Sequence, residues 1–235
     1  MKIYLSPSGQ AYNKYAYGGV TEADECDLIG HYCEVALKRS GIEAKCAPKS
    51  QRTETNVKAS NAWGADYHIC IHTNAISGDN SKPSAEGCVI FTAKANVNST
   101  MPHTILDELQ TLKGKNSIYG VRAHSGLYEI NATNAKCIYI EVEFHDNVEL
   151  AKWIINNVKQ IGEAIAKGVC KALAVEYKSE NAAEGSNDPE FVKYKQLAVD
   201  AGIVKGYGNG VYGWTDNMTR EQFIVILGRL GLLNG

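Results

Sequence analysis

The stretch Lys136-Cys137-Ile138-Tyr139-Ile140-Glu141-Val142-Glu143-Phe144-His145-Asp146-Asn147 decides the fold. Its first half is apolar, aromatic and β-branched, the composition of a short buried strand. Two carboxylates and a histidine stand where the apolar run gives out. A carboxylate at the end of a buried strand is costly unless it is paired, hydrated or bound to a cation. In open α/β sheets the ligand crevice lies at the carboxyl ends of the strands. Glu141 and Glu143 are therefore candidate site residues. The plainer alternative is that they mark the loop after the strand.

Outward from this stretch, strands alternate with helices. Residues 2–6, 44–47, 65–72 and 87–93 read as strands, and 127–130 and 137–142 as extended. In the third of these, Tyr67, Ile69 and Ile71 share one face and His68, Cys70 and His72 the other. Helical apolar spacing covers Glu22–Arg39, closed by Gly41, and also 56–63 and 102–113. One long helix is predicted over 150–175, with its stripe at Ile154, Val158, Ile161, Ile165 and Val169. Such alternation predicts an α/β fold, a mostly parallel or mixed central sheet flanked by helices.

Composition shifts near Tyr177. Residues 177–187 are polar and read as a linker between a domain at 1–176 and a small helical unit at 188–235. That unit reads as a helix over 189–201, a glycine-rich turn over 202–213 and a helix over 219–230 with Thr219 as N-cap.

Charge and composition exclude several classes. The 235 residues carry a formal net charge of −2, with 44% hydrophobic and 21% charged side chains, an ordinary soluble balance. There is no basic field for nucleic acid or an anionic membrane. No apolar run approaches the ~20 residues of a membrane-spanning helix. The N-terminus reads as a strand rather than a secretion leader, so the expectation is synthesis in the cytosol. The seven cysteines are odd in number and lack a CxxC pair, which predicts free thiols rather than a disulfide framework or zinc knuckle.

Two further residues join Glu141. His72, in Ile71-His72-Thr73-Asn74-Ala75, ends a strand, and Glu22 opens the first helix. Nitrogen and oxygen donors arriving from different element ends suit a catalytic zinc, which keeps one position for water. A carboxylate not bound to the metal then serves as general base. Taken alone, His72 also reads as a hydrogen-bonded strand-end histidine.

Longer segments then occur in order. They are Ser6-Pro7-Ser8-Gly9-Gln10 with Asn13 and Tyr15, Glu22, Trp63-Gly64-Ala65-Asp66, Ile71 to Ala75, Gly126-Leu127-Tyr128-Glu129-Ile130 and Ile140 to Asn147. The series resembles the zinc-dependent N-acetylmuramoyl-L-alanine amidases of the Amidase_3 type, over roughly residues 1–175. The resemblance implies a Zn2+ ion at the strand ends, held by Glu22 and His72, with Glu141 as general base. It implies hydrolysis of the peptidoglycan amide between N-acetylmuramic acid and L-alanine. The family's commonest first ligand is a histidine in a Gly-His-Gly loop. The loop here has none, and Gln10, through its amide oxygen, is the expected substitute, with Asn13 the second choice. Asn74, Glu143, His145 and Arg122 are expected near substrate. Glu143 reads either as a modulator of Glu141 or, preferred, as a solvated or ion-paired side chain. His68 reads as a buried, hydrogen-bonded residue.

At the other end, Ala201 to Gly210, Trp214 and Thr219-Arg220-Glu221-Gln222-Phe223 resemble one S-layer homology motif. The resemblance implies contact with a secondary cell-wall polymer through Trp214, Thr219 and Arg220. A single copy leaves an apolar face uncovered, so either the unit packs on the amidase domain or, preferred, several chains supply the copies as a homo-oligomer. A small helical dimerisation or stability module without glycan affinity is the alternative. Together the resemblances imply a peptidoglycan hydrolase, cytoplasmic at synthesis and acting on the wall after release, as a phage endolysin does. The alternatives are a mother-cell or autolytic amidase, and a catalytically silent wall-binding protein.

Overall fold

The computed structural model describes residues 1–76, 85–114, 120–179, 189–205, 218 and 220–233. β1 (Lys2–Pro7) leads through a loop to α1 (Glu22–Arg39), β2 (Glu43–Cys46), α2 (Thr53–Trp63) and β3 (Tyr67–Asn74). β4 (Val89–Thr92), α3 (Thr100–Lys113), β5 (Gly120–Ala123) and α4 (Tyr128–Ala132) precede β6 (Lys136–Phe144). α5 (Val148–Asn156) and α6 (Val158–Ala172) follow. The strands form one six-stranded sheet in the order β2-β1-β3-β6-β4-β5. β6 runs parallel to β3 and antiparallel to β4. This is the expected mixed α/β architecture.

The two faces of the sheet differ in chemistry. Leu5, Ile69 and Ile138 sit side by side in the strand register, and Ile71 sits beside Ile140. All are buried, and alternation puts them on one face. α1 packs on β1 and β3 there, and α6 lies against both α1 and α3. α6 approaches closely because it offers glycine at the crossings. A Cβ on Gly162 would stand 2.7 Å from the Ile29 carbonyl oxygen, and one on Gly168 would stand 2.4 Å from the Ile105 Cα. The opposite face carries Tyr4, Ser6, His68, Cys70, His72, Cys137, Tyr139 and Glu141 in register. α2 and α4 meet it with polar groups: Asn56 donates to Ser6 Oγ, and Ser6 donates to Glu129. The first face is apolar at these positions; the second sets its polar groups beside a smaller apolar cluster of Cys70, Ile130, Cys137 and Tyr139.

Two expectations are corrected. The segment predicted extended at 127–130 is instead the start of α4, a helix that turns Glu129 and Ile130 inward together. Five residues are too few for a helical period to show. The long helix breaks at Asn157, whose φ of −127° and ψ of 16° leave the helical region while its side chain bonds the Trp153 carbonyl. The apolar stripe runs through because α5 and α6 both bury it. β5 was not anticipated, since Arg122 and Ala123 are exposed and no alternation marks it.

The first compact unit runs through Lys178. Tyr177 donates to Glu163, and the Lys178 N–H bonds Ser40 Oγ. All seven cysteines are free. The second unit, Ser179–Gly235, contains α7 (Pro189–Asp200) and α8 (Arg220–Arg229). Gly202, at φ 65°, ends α7 and lets the Ile203 N–H bond back to Ala198. Arg229 donates to the Ile203 carbonyl at 2.8 Å. Leu197, Phe223 and Ile224 are exposed. Most of the predicted linker, most of the glycine-rich turn, Trp214 and Thr219 lie outside the described residues. No helix among the described residues is long and apolar enough to cross a membrane.

Candidate active site

The loop after β1 and the start of α1 bring three side chains to the carboxyl end of β3. Thr21 caps α1 with a reciprocal box, its hydroxyl accepting from the Asp24 N–H and its own N–H bonding the Asp24 carboxylate. That cap fixes Glu22 as the first helical residue, where the helix dipole favours an acid. Glu22 is buried, with Oε1 2.8 Å from His72 Nδ1 and Oε2 accepting from Asn13 Nδ2 at 2.7 Å. Gln10 Nε2 lies 3.4 Å from the same His72 nitrogen. Its Oε1 accepts from the Tyr12 hydroxyl and from Asn13 Nδ2. Asn13 thus bridges Gln10 and Glu22. The His72 ring stacks on Tyr139 with centroids 4.4 Å apart.

Glu141 is the register partner of His72 across β3 and β6. Its Oε2 is buried and has no hydrogen-bond partner. Burial pushes its carboxyl up to about 7, with His72 pulling it down and Glu22 raising it. Glu22 moves the other way. Burial would raise its carboxyl, but the bond and charge of His72, with bonds from Asn13 and Ser8, hold it below its ordinary value. Burial would lower His72, yet Glu22 and the charge of Glu141 raise it. Two carboxyls pushed apart around one histidine give an ionised partner and a poised acid–base group.

Gln10, Glu22 and His72 therefore offer an amide, a carboxylate and an imidazole around one point, beside an orphaned carboxylate oxygen. That mixed nitrogen and oxygen set fits a divalent cation carrying water. As placed, Gln10 turns its nitrogen to His72, so ligation through Oε1 requires the amide to turn over.

The other expected residues are distributed around this centre. Glu143 is fully buried and its Oε1 accepts from the Gly87 N–H at 2.7 Å, so the preferred solvated reading is corrected. The register shifts between His72 and Asn74, which breaks the regular two-residue relation to Glu141. Burial raises the Glu143 carboxyl. Asn74 ends β3, accepting from the Ala75 N–H through its side chain and from the His145 N–H through its carbonyl. His145 is buried, stacks on Tyr15 and places Nδ1 2.9 Å from Thr73 Oγ1. The Tyr15 hydroxyl reaches the same Thr73 oxygen at 3.0 Å. Arg122 is exposed on β5, two strands from β6. Arg220 opens α8 in the second unit and is exposed. His68 is buried against Glu129, as expected. Sequence reasoning missed Tyr139, which strand parity with Glu141 places on the His72 face. It also missed Tyr12 and Asn56, which carry no sequence signal.

Residues 6–171 match the Amidase_3 family, described as N-acetylmuramoyl-L-alanine amidase. The chain belongs to this amidase family. Residues 187–224 match the S-layer homology domain. Among solved structures, the N-acetylmuramoyl-L-alanine amidase AmiC2 of Nostoc punctiforme is similar at a TM-score of 0.65 and 18% identity, over 74% of this chain and 97% of that one. The catalytic domain of CwlV, an N-acetylmuramoyl-L-alanine amidase from Bacillus (Paenibacillus) polymyxa, is similar at 0.62 and 15%, over 75% and 100%. The catalytic domain of the CD27L endolysin targeting Clostridia difficile is similar at 0.57 and 21%, over 73% and 97%. Among curated proteins no relative matches. At these identities the structures establish the shared amidase fold, and the family match supports amidase activity on peptidoglycan.

Proposed function

We propose that this amidase is zinc-dependent and cleaves the bond between N-acetylmuramic acid and L-alanine. The observation that carries the reading is the meeting of Gln10, Glu22 and His72 beside the unpartnered Glu141 Oε2. His72 Nδ1, the Glu22 carboxylate and the Gln10 amide oxygen would hold the ion. When bound, zinc supplies an acidified water and polarises the substrate carbonyl. Glu141, raised to about 7, takes a proton from the attacking water and returns it to the departing L-alanine nitrogen. Asn13 holds Glu22 and Gln10 in place, and Tyr139 fixes the His72 ring. Asn74, His145 and Arg122 are the candidates for substrate contact.

The S-layer homology domain would hold the enzyme on a secondary cell-wall polymer through Trp214, Thr219 and Arg220. Its exposed Leu197, Phe223 and Ile224 favour self-association through this unit. Seven free thiols suit synthesis in a reducing cytosol, with action on the wall after release, as an endolysin or, second, as an autolytic enzyme of the producing cell.

Purified walls test the chemistry. The expected result is release of new L-alanine amino groups, with a loss of about 10²–10⁴-fold in turnover for Glu141→Gln. A Glu141→Gln protein as active as the parent removes the proton-transfer role. Full activity after metal stripping removes the zinc. Binding to walls without any release of amino groups would favour a silent wall-binding protein.

A further inference from the structure

The polar face of the sheet holds a second cluster, further down β3 from His72. His68 and Cys70 of β3 and Glu129 of α4 present a nitrogen, a sulfur and a carboxylate oxygen that all lie within 4.8 Å of one another. Their exposures are 0%, 0% and 4%. Cys137 of β6 adds a second thiol, its Sγ 3.7 Å from Cys70 Sγ. His68 Nε2 and Glu129 Oε1 are 3.0 Å apart, near the spacing of two such donors around one ion.

The same carboxylate oxygen is also held by a chain of hydrogen bonds. Ser6 Oγ donates to Glu129 Oε1 at 2.5 Å, Asn56 Nδ2 donates to Ser6 Oγ at 2.9 Å, and Gln51 Nε2 donates to Asn56 Oδ1 at 2.6 Å. Carboxylates that ligate metals are oriented by such outer hydrogen bonds. The proposed hydrolysis uses none of these groups.

We propose that His68, Cys70 and Glu129 form a second metal site, a structural one for zinc or an ion of the same class, beside the Cys137 thiol. A buried set that includes sulfur is the pattern of structural zinc, whereas a catalytic site stays open to water. Binding forms bonds from the ion to one thiolate, one imidazole and one carboxylate. The Cys70 thiol proton, and any proton held between His68 and Glu129, leave to solvent. The ion ties β3 to α4, and β3 is the strand that presents His72.

The set at Gln10, Glu22 and His72 contains no sulfur, so the two sites separate spectroscopically. The full-length protein, reduced and stripped of metal, is titrated with Co2+ alone. The expected result is an intense near-ultraviolet sulfur-to-cobalt absorption that saturates at one thiolate-bound ion per chain. It is lost in Cys70→Ser and unchanged in Glu22→Gln. Co2+ uptake without that absorption overturns the proposal, as does its survival in Cys70→Ser. Zinc X-ray absorption of the native protein needs no variant. Sulfur at ~2.3 Å in the zinc shell supports the site, and a shell of nitrogen and oxygen alone overturns it. Loss of the proposed catalytic zinc would leave both sulfur signals intact.

Discussion

Glu22 and Glu141 flank the same histidine, yet burial and bonding push their carboxyls in opposite directions. For Glu141 the sign of the pH dependence follows. Its carboxyl rises from 4.5 to about 7 on folding, so the metal-free native state holds its proton more tightly than the unfolded chain. The group costs nothing below the unfolded value, and its cost is complete once pH has risen through the folded one. The penalty at pH 8 is on the order of 3 kcal/mol. Glu141→Gln is therefore expected to stabilise the stripped protein at about pH 8 and to do nothing near pH 4. Urea unfolding at the two pH values checks this, and an equal difference at both would refute it. Asn13→Ala removes the amide that bridges Gln10 and Glu22 and is expected to weaken metal affinity about 10–100-fold, measured by competition with a chelator. Glu22, His72 and Glu141 were legible because each sits in a motif at an element end. Asn13's bridge depends on the path of a loop. Glu143 was misread because a register shift in β6 carries no sequence mark, and its partner is a backbone N–H preceding a different strand.

Helices α1 and α3 close on α6 at points where a side chain would strike backbone. Gly168→Ala puts a methyl against Ile105 Cα and N at 2.4 and 2.7 Å, so the helices must separate. The expected cost is about 1–3 kcal/mol. Gly228→Ala in α8 is the control. Nothing lies within 4 Å of its Cβ, and better helix propensity is expected to leave stability unchanged or raise it by up to ~1 kcal/mol. Thermal unfolding of the two variants compares them, and equal midpoints would refute the close-packing account. α1 reads correctly to the residue, because its apolar spacing runs unbroken to the turn at Gly41. The break at Asn157 stayed hidden because the apolar stripe continues in phase on both sides. α4 and β5 are shorter than the window in which a period can be counted.

The chain divides into two units, Met1–Lys178 and Ser179–Gly235. A protein ending at Lys178 is expected to fold and to hydrolyse soluble peptidoglycan fragments at the parent's rate. It is expected to lose retention on sedimented walls, and its mass in solution to fall to that of a monomer. Undiminished retention would place the anchor within the amidase domain. This two-part organisation was legible as a polar run after the last amidase helix. The proposed polymer contacts rest on resemblance, since no titratable cluster or periodicity in the sequence marks them. The strand order has a further consequence, for how the molecule is made. β6 enters the sheet between β3 and β4, so His72 meets Glu141 across about 70 residues of intervening chain. Pairing at that separation is slow to form, and until it forms β3 presents an open edge. A nascent chain that has not yet cleared the ribosome past Phe144 holds His72 without the proposed base. On the proposed mechanism the hydrolase stays silent through most of the translation of its own domain, and the interval before β6 docks is when β3 is most exposed to aggregation.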